Sequence, residues 1–219
     1  MKKIAVIGLG NFGYTLAVSL AKEGCEVIAI DTDKGKIQSI KDSVNQAVLA
    51  DAACKETLEK LGVGDVDAAV VCLGTRLDLG VMVTLFLKEL GVGTIYAKAI
   101  SDDHSRVLCL VGADKIIFPE KDEAQRLAKT VANPNVLEFV RLTEGYNVIE
   151  FPAPKKFYGR SLAELDLKNR FGIYVFAIRQ PHNSELQLLP PAGYVIREDD
   201  TLIIVGEEKK IEAFEDKVS

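Results

Sequence analysis

Between Lys3 and Phe118, short runs of apolar and mostly β-branched residues alternate with longer stretches in which apolar residues recur at helical spacing. The runs at 4–7, 27–30, 47–49, 69–72, 95–97 and 115–118 predict strands, and 12–22, 34–41, 55–61, 77–90 and 103–111 predict helices between them. Strands joined by helices of that length imply right-handed crossovers, hence a parallel sheet with helices on both faces. The expected fold is α/β, a Rossmann-type sheet occupying residues 1–120.

The texture changes beyond Phe118. A charged, helix-favouring stretch at 119–131 meets Asn133-Pro134-Asn135, whose turn chemistry predicts a break. A short apolar segment follows at 136–142. Strand-like runs at 148–151, 173–178 and 201–205 are then punctuated by Pro152, Pro154, Pro181, Pro190 and Pro191. This pattern predicts linker residues at 121–142 and a second, small α+β domain at 143–219. A domain of about 75 residues is a marginal folding unit unless it packs on something else or dimerises.

Composition narrows the function classes. With 48% apolar and 27% charged residues the chain can bury a substantial core. No apolar run reaches the roughly 18 residues of a spanning helix, and the start, Met1-Lys2-Lys3, runs straight into the first strand without a signal-peptide pattern. A cytoplasmic location is expected. The net charge of −5 argues against a nucleic-acid partner, which needs clustered Lys and Arg. Cys25, Cys54, Cys72 and Cys109 lack metal or redox spacing and are expected to be packing residues.

The strongest chemical signal is Gly8-Leu9-Gly10-Asn11-Phe12-Gly13, between the first strand and the first helix. In such a loop the first glycine makes the turn, the second lets backbone approach a diphosphate, and the third lets the helix close on the sheet. Amides of Asn11, Phe12 and Gly13 then face the phosphates at a helix N-terminus. Asp31 ends the next strand, eighteen residues beyond Gly13, where an acid receives ribose hydroxyls. A carboxylate there disfavours a 2′-phosphate, so NAD, ADP or ATP is expected over NADP. Thr32 adjoins it, and Asp33 is either a second acceptor or the cap of the following helix.

Ligands in open sheets sit beyond the carboxyl ends of strands. That rule brings Asp51 and Ala52, then Cys72, Leu73, Gly74 and Thr75, to the adenine and ribose. Asp51 reads equally as a base contact or a helix cap. Lys98 and Glu120 end the fifth and sixth strands; Lys98 is either a phosphate ligand or a surface lysine, and Glu120 either faces a cation or begins a helix. Catalytic signals are missing: no H-E-x-x-H, G-x-S-x-G or Walker lysine occurs, and His104 and His182 read as exposed. The nucleotide therefore reads as a signal, with an NAD-dependent oxidoreductase as the alternative.

Five segments carry a family resemblance: the run from Ile4 to Gly13, residues 27–33, Leu85-Phe86-Leu87-Lys88-Glu89-Leu90, the run Ala113-Asp114-Lys115-Ile116-Ile117-Phe118-Pro119-Glu120-Lys121-Asp122, and residues 197–206. Together they resemble the RCK-domain regulators of Ktr/Trk potassium uptake systems, with TrkA-N followed by TrkA-C. The resemblance implies a regulatory subunit that binds ATP, ADP, NAD or NADH and gates a membrane-embedded potassium transporter or channel. It further implies homo-dimers joined by a crossing helix around 136–142, an eight-subunit ring at the inner membrane face, and a divalent or sodium ion at Glu120. A cyclic di-AMP site in the second domain would involve segments containing Asn169, Arg170 and Pro190. Relatives that separate ATP from ADP often carry arginine where this chain has Asn11, which lacks the charge to reach a terminal phosphate.

Overall fold

The structure, a computed structural model, describes residues 1–74, 76–132, 138–143, 145–180 and 186–218. It divides into two compact units, Met1–Glu120 and Lys121–Ser219.

The first unit contains β1 (Lys3–Ile7), α1 (Asn11–Lys22), β2 (Glu26–Asp31), α2 (Lys34–Ile40), β3 (Gln46–Leu49), α3 (Lys55–Lys60), β4 (Ala68–Val71), α4 (Leu77–Glu89), β5 (Ile95–Lys98), α5 (Asp102–Leu110) and β6 (Lys115–Ile117). The strands form one parallel sheet in the order β3-β2-β1-β4-β5-β6. The central strands are apolar on both faces because both faces are covered. Ala5 and Ile7 join Ile28, Ile30, Ala69 and Val71 against Leu58, Val83, Leu87 and Leu108. On the opposite face Ile4 and Val6 join Val27, Ala29 and Val70 against Ala17 and Ile40. Each large side chain so buried contributes roughly 1.5–3 kcal/mol. Reversal of strand order on either side of β1 opens a crevice at the carboxyl edge between β1 and β4.

In α5, Ser101 caps the helix through His104 N. His104 is not exposed as its polar neighbours imply: it is 7% accessible, and both ring nitrogens are buried without a hydrogen-bond partner. The helical period puts it on the same face as buried Leu108, and that face decides. Burial holds its pKa below the ordinary value near 6.5. As pH falls, the unfolded chain therefore takes up this proton first, and the first unit loses stability once pH drops below about 6.5. His104→Leu is expected to remove that slope and to stabilise by about 1 kcal/mol, since it discards two orphaned polar atoms. Urea titrations at about pH 7.5 and 5.5 check both effects.

The second unit begins within α6 (Pro119–Ala132), whose first two residues close the first unit. It contains β7 (Glu138–Thr143), β8 (Tyr146–Pro152), α7 (Leu162–Leu165), α8 (Leu167–Phe171), β9 (Tyr174–Arg179), β10 (Leu186–Leu188), β11 (Thr201–Glu207) and α9 (Glu208–Val218). The strands pair antiparallel in the order β10-β9-β11-β8-β7. Residues 138–142, expected within a crossing helix, lie in strand β7, where ladder bonds to β8 satisfy the backbone. The second sheet thus begins before residue 143. Residues 133–137, with the predicted Asn-Pro-Asn break, lie outside the described residues, as do Thr75, Pro181 and His182.

The core of this unit forms around Phe214 of α9, which is fully buried and meets Phe151 at 5.4 Å and Phe171 at 5.3 Å, edge to face. Buried Asp200 ties the turn before β11: its Oδ2 accepts from Tyr194 Oη at 3.0 Å and Arg197 N at 2.8 Å. This is the physical content of the charged Arg-Glu-Asp-Asp segment. Two of the four cysteines depart from the packing expectation, Cys54 and Cys109 being exposed, while Cys25 and Cys72 are partly buried.

Candidate functional site

One end of the crevice is built by the glycine loop. Gly8 has φ 94°, in the left-handed region, and a Cβ there would lie 2.8 Å from the Leu73 side chain. A Cβ on Gly13 would lie 2.0 Å from the Gly8 carbonyl oxygen and 3.1 Å from the Cys72 Cβ, so glycine alone lets α1 begin this close to the loop. Gly10 is different. Its backbone is extended, with φ −67°, and a Cβ would meet nothing within 4 Å. Gly10 thus borders open space, and α1 starts there with no side-chain cap for the first-turn amides of Asn11, Phe12 and Gly13.

Lys98, at the end of β5, reaches the same end. Its Nζ stands 5.7 Å from the Phe12 ring centroid, and its stem runs beside Gly74, where a Cβ would lie 3.5 Å from Lys98 Cδ. The ammonium is paired with Glu120 of α6, and only 14% of the Lys98 side chain is accessible, against 71% for Glu120. The pairing holds the Glu120 carboxyl below the usual range, chiefly through the hydrogen bond from Lys98. Lys98 is therefore not a free surface lysine. Cys72 lies behind the loop; burial pushes its thiol up to about 12 despite the pull of Lys98, which keeps it protonated.

The other end is built around Asp31. Its Oδ2 accepts from Leu9 N at 2.6 Å and from Lys36 Nζ at 3.3 Å, and its Oδ1 accepts from Asp33 N at 2.8 Å. Partial burial raises its pKa, but the bonds from Leu9, Asp33 and Lys36 outweigh this, so the carboxyl ionises below its ordinary value. Asp33 caps α2, its Oδ1 accepting from Gly35 N and Lys36 N. Asp51 likewise turns inward on its own loop, accepting from Ala53 N at 2.9 Å.

A shallow hollow of about 40 Å³ joins these elements, lined by Gly8, Asp31, Thr32, Asp51, Ala52 and Leu73 with Ile7, Ile30, Ala50 and Leu79. This is far below the roughly 300–1,000 Å³ of enclosed small-molecule pockets, so a purine would lie across the hollow and not within it. Leu79 of α4 escaped the spacing rules, which look only at strand ends. Its signal was its place in the first turn of a helix that starts at the same edge.

One carboxylate already bearing an ammonium does not make a cation site. Among the described residues no group of three or more His, Cys, Asp or Glu is placed to hold a metal. A cation at Glu120 would have to displace Lys98 and draw ligands from outside this set. In the second unit Pro190 lines a hollow of about 240 Å³ with Leu162, Asp166, Lys168 and Tyr174. Asn169 and Arg170 do not line it. Asn169 Nδ2 donates to Asp166 Oδ1 at 2.7 Å and Arg170 Nη1 to the Leu165 carbonyl at 3.3 Å, so both hold the α7–α8 corner.

Comparison with known proteins matches this division. The TrkA-N domain matches residues 4–119 and the TrkA-C domain residues 148–219. "Ktr system potassium uptake protein C" of Bacillus subtilis (strain 168) is 37% identical over 217 residues, covering 99% of this chain and 97% of that protein. "Ktr system potassium uptake protein A" of the same organism is 34% identical over 216 residues, covering 99% and 96%. Among solved structures, "GsuK channel bound to NAD" aligns with a TM-score of 0.57 at 24% identity over 100% of this chain. The chain spans 38% of that longer protein, and the likeness is one of fold. No helix among the described residues is long and apolar enough to cross a membrane. With both domains matched in order, and more than a third of positions identical to a Ktr protein along nearly its whole length, this chain belongs to the TrkA-N/TrkA-C family of potassium uptake proteins.

Proposed function

We propose that this chain is the nucleotide-binding regulatory subunit of a potassium uptake system. The observation that carries the reading is the pairing, across one crevice, of an uncapped helix N-terminus at Gly10 with an ionised acceptor at Asp31. An adenine nucleotide fits that pairing: phosphates at the amides of Asn11, Phe12 and Gly13 and near Lys98, ribose at Asp31 and Thr32, base across Ala52, Leu73 and Leu79. Gly8, Cys72 and Gly74 support the loop, and Asp33 and Asp51 shape its rim. Asn11 brings no charge to a terminal phosphate, so ATP, ADP, NAD and NADH all remain ligands of this one class.

The nucleotide serves as a signal. Phosphates arriving at the α1 N-terminus compete with Glu120 for Lys98, and Glu120 is the second residue of α6, the helix through which the chain leaves the first unit. Occupancy therefore alters the restraint on that helix. Ligand binding shifts a two-state device only through its differential affinity for the two states. In our reading those states belong to a homo-oligomeric ring, assembled from dimers up to eight chains, on the cytoplasmic face of a membrane-embedded potassium transporter or channel. A cation shared across a dimer at Glu120, and cyclic di-AMP near Pro190, are further ligands of the same assembly.

The test is potassium flux into vesicles holding the membrane subunit together with this chain. Exchanging one adenine nucleotide for another is expected to change flux at least about fivefold, the low end of ordinary coupling between sites, with the nucleotide recovered chemically unchanged. Flux indifferent to every adenine nucleotide, or conversion of the nucleotide in step with a second substrate, contradicts the proposal.

A further inference from the structure

Asp31 is not free to receive a ribose on both oxygens. Oδ1 has one donor, Asp33 N, and keeps a lone pair open. Oδ2 has two donors, Leu9 N and the Lys36 ammonium. A nucleotide with both ribose hydroxyls free can bond Oδ1 at once, whereas the second hydroxyl meets Oδ2 only where Lys36 now stands. Lys36 is able to move: its side chain is 42% accessible, against 9% for Asp31. Its backbone is fixed, because Lys36 N is part of the Asp33 cap. The ammonium is therefore tethered within reach of the ribose corner whether or not it touches Asp31.

From this geometry we infer that Lys36 is a selectivity residue, which lowers the discrimination against a 2′-phosphate that Asp31 by itself imposes. The inference rests on the nucleotide reading given above. A lone carboxylate at this corner repels a 2′-phosphate, and sites that accept one place a basic group nearby. Here both elements occur together. Asp31 serves the diol, and Lys36, swung from Oδ2, serves a 2′-phosphate. The charges on residues 31–36 balance, with Asp31 and Asp33 against Lys34 and Lys36, so the corner is close to neutral and not acidic. Asp51 across the hollow is the remaining carboxylate on this rim, and it faces its own loop amide. The preference against a 2′-phosphate expected from Asp31 alone is thereby weakened by one lysine.

The experiment measures calorimetric affinities of the full chain for AMP and for adenosine 2′,5′-bisphosphate, which differ only by the 2′-phosphate. Wild type, Lys36→Gln and Lys36→Arg are compared. Lys36→Gln is expected to keep AMP affinity within about threefold and to worsen the bisphosphate-to-AMP ratio by about tenfold or more, the size of one charge-assisted contact. Lys36→Arg keeps the wild-type ratio. A ratio unmoved by Lys36→Gln, while AMP still binds, overturns this inference alone. If folded wild-type chain binds neither nucleotide, the nucleotide reading falls and the inference falls with it.

Discussion

Gly10→Ala is expected to weaken adenine-nucleotide binding by about a hundredfold or more while leaving the melting temperature of the chain nearly unchanged, and Gly13→Ala to destabilise the first unit strongly. The two glycines stand three residues apart in one loop, yet physical causes separate them. At Gly13 a methyl group would lie 2.0 Å from the Gly8 carbonyl oxygen, which is backbone and cannot swing aside. Relief requires α1 to retreat from the sheet, opening the contacts of Ala17 with Val6 and Ala29. Overpacking of this kind costs about 3 kcal/mol or more, a large share of a domain's stability. At Gly10 the backbone is extended and a methyl group meets no protein atom within 4 Å. Alanine costs little there in the free protein, but it fills open space beside the uncapped start of α1. A ligand whose diphosphate rests against that backbone would lose affinity by about a hundredfold or more, the value of roughly two hydrogen bonds to a charged group. Thermal melts with and without ADP distinguish the two variants. Equal nucleotide-induced stabilisation of wild type and Gly10→Ala would place the phosphates elsewhere.

The sheet was legible because its strands are apolar on both faces and its helices keep a clean period; all six strands fall within a residue or two of the runs that predict them. The glycine loop and Asp31 were legible because their roles depend on local spacing. What spacing missed is instructive. Residues 138–142 form a strand although a short apolar run carries no reliable period, and the pairing with β8 that decides the matter is a tertiary fact. Helix α9 is similarly set by the core its Phe214 packs into, and strand β10 by its pairing with β9. His104 was misjudged from its polar neighbours, although its four-residue offset from Leu108 carried the right signal. Lys36 went unread because its partner Asp31 belongs to the preceding strand, and only the turn between them brings the charges to 3.3 Å. Asn169 and Arg170, taken from resemblance and not from chemistry, proved to be corner residues beside the hollow that Pro190 lines.

Asp31→Asn carries the second large effect. The substitution keeps an acceptor for Leu9 N but removes the charge that Lys36 and Asp33 N share, and with it the ionised acceptor of the proposed ribose contact. Hydrogen bonds to an ionised group are worth roughly 1.5–3 kcal/mol, so affinity is expected to fall by about tenfold to a hundredfold. The native carboxyl ionises below its ordinary value, so its stabilising share is full at neutral pH and is lost as pH falls through that lowered value; Asp31→Asn removes this acid-sensitive share. Calorimetric titration of ADP, ATP and NAD into wild type and Asp31→Asn at neutral pH, with melting curves to show that both are folded, tests the account most directly. Saturable binding by wild type of at least one of the three, weakened by about tenfold or more in Asp31→Asn, is the predicted result. Absence of binding to folded wild type, or equal affinity in the two proteins, would contradict it.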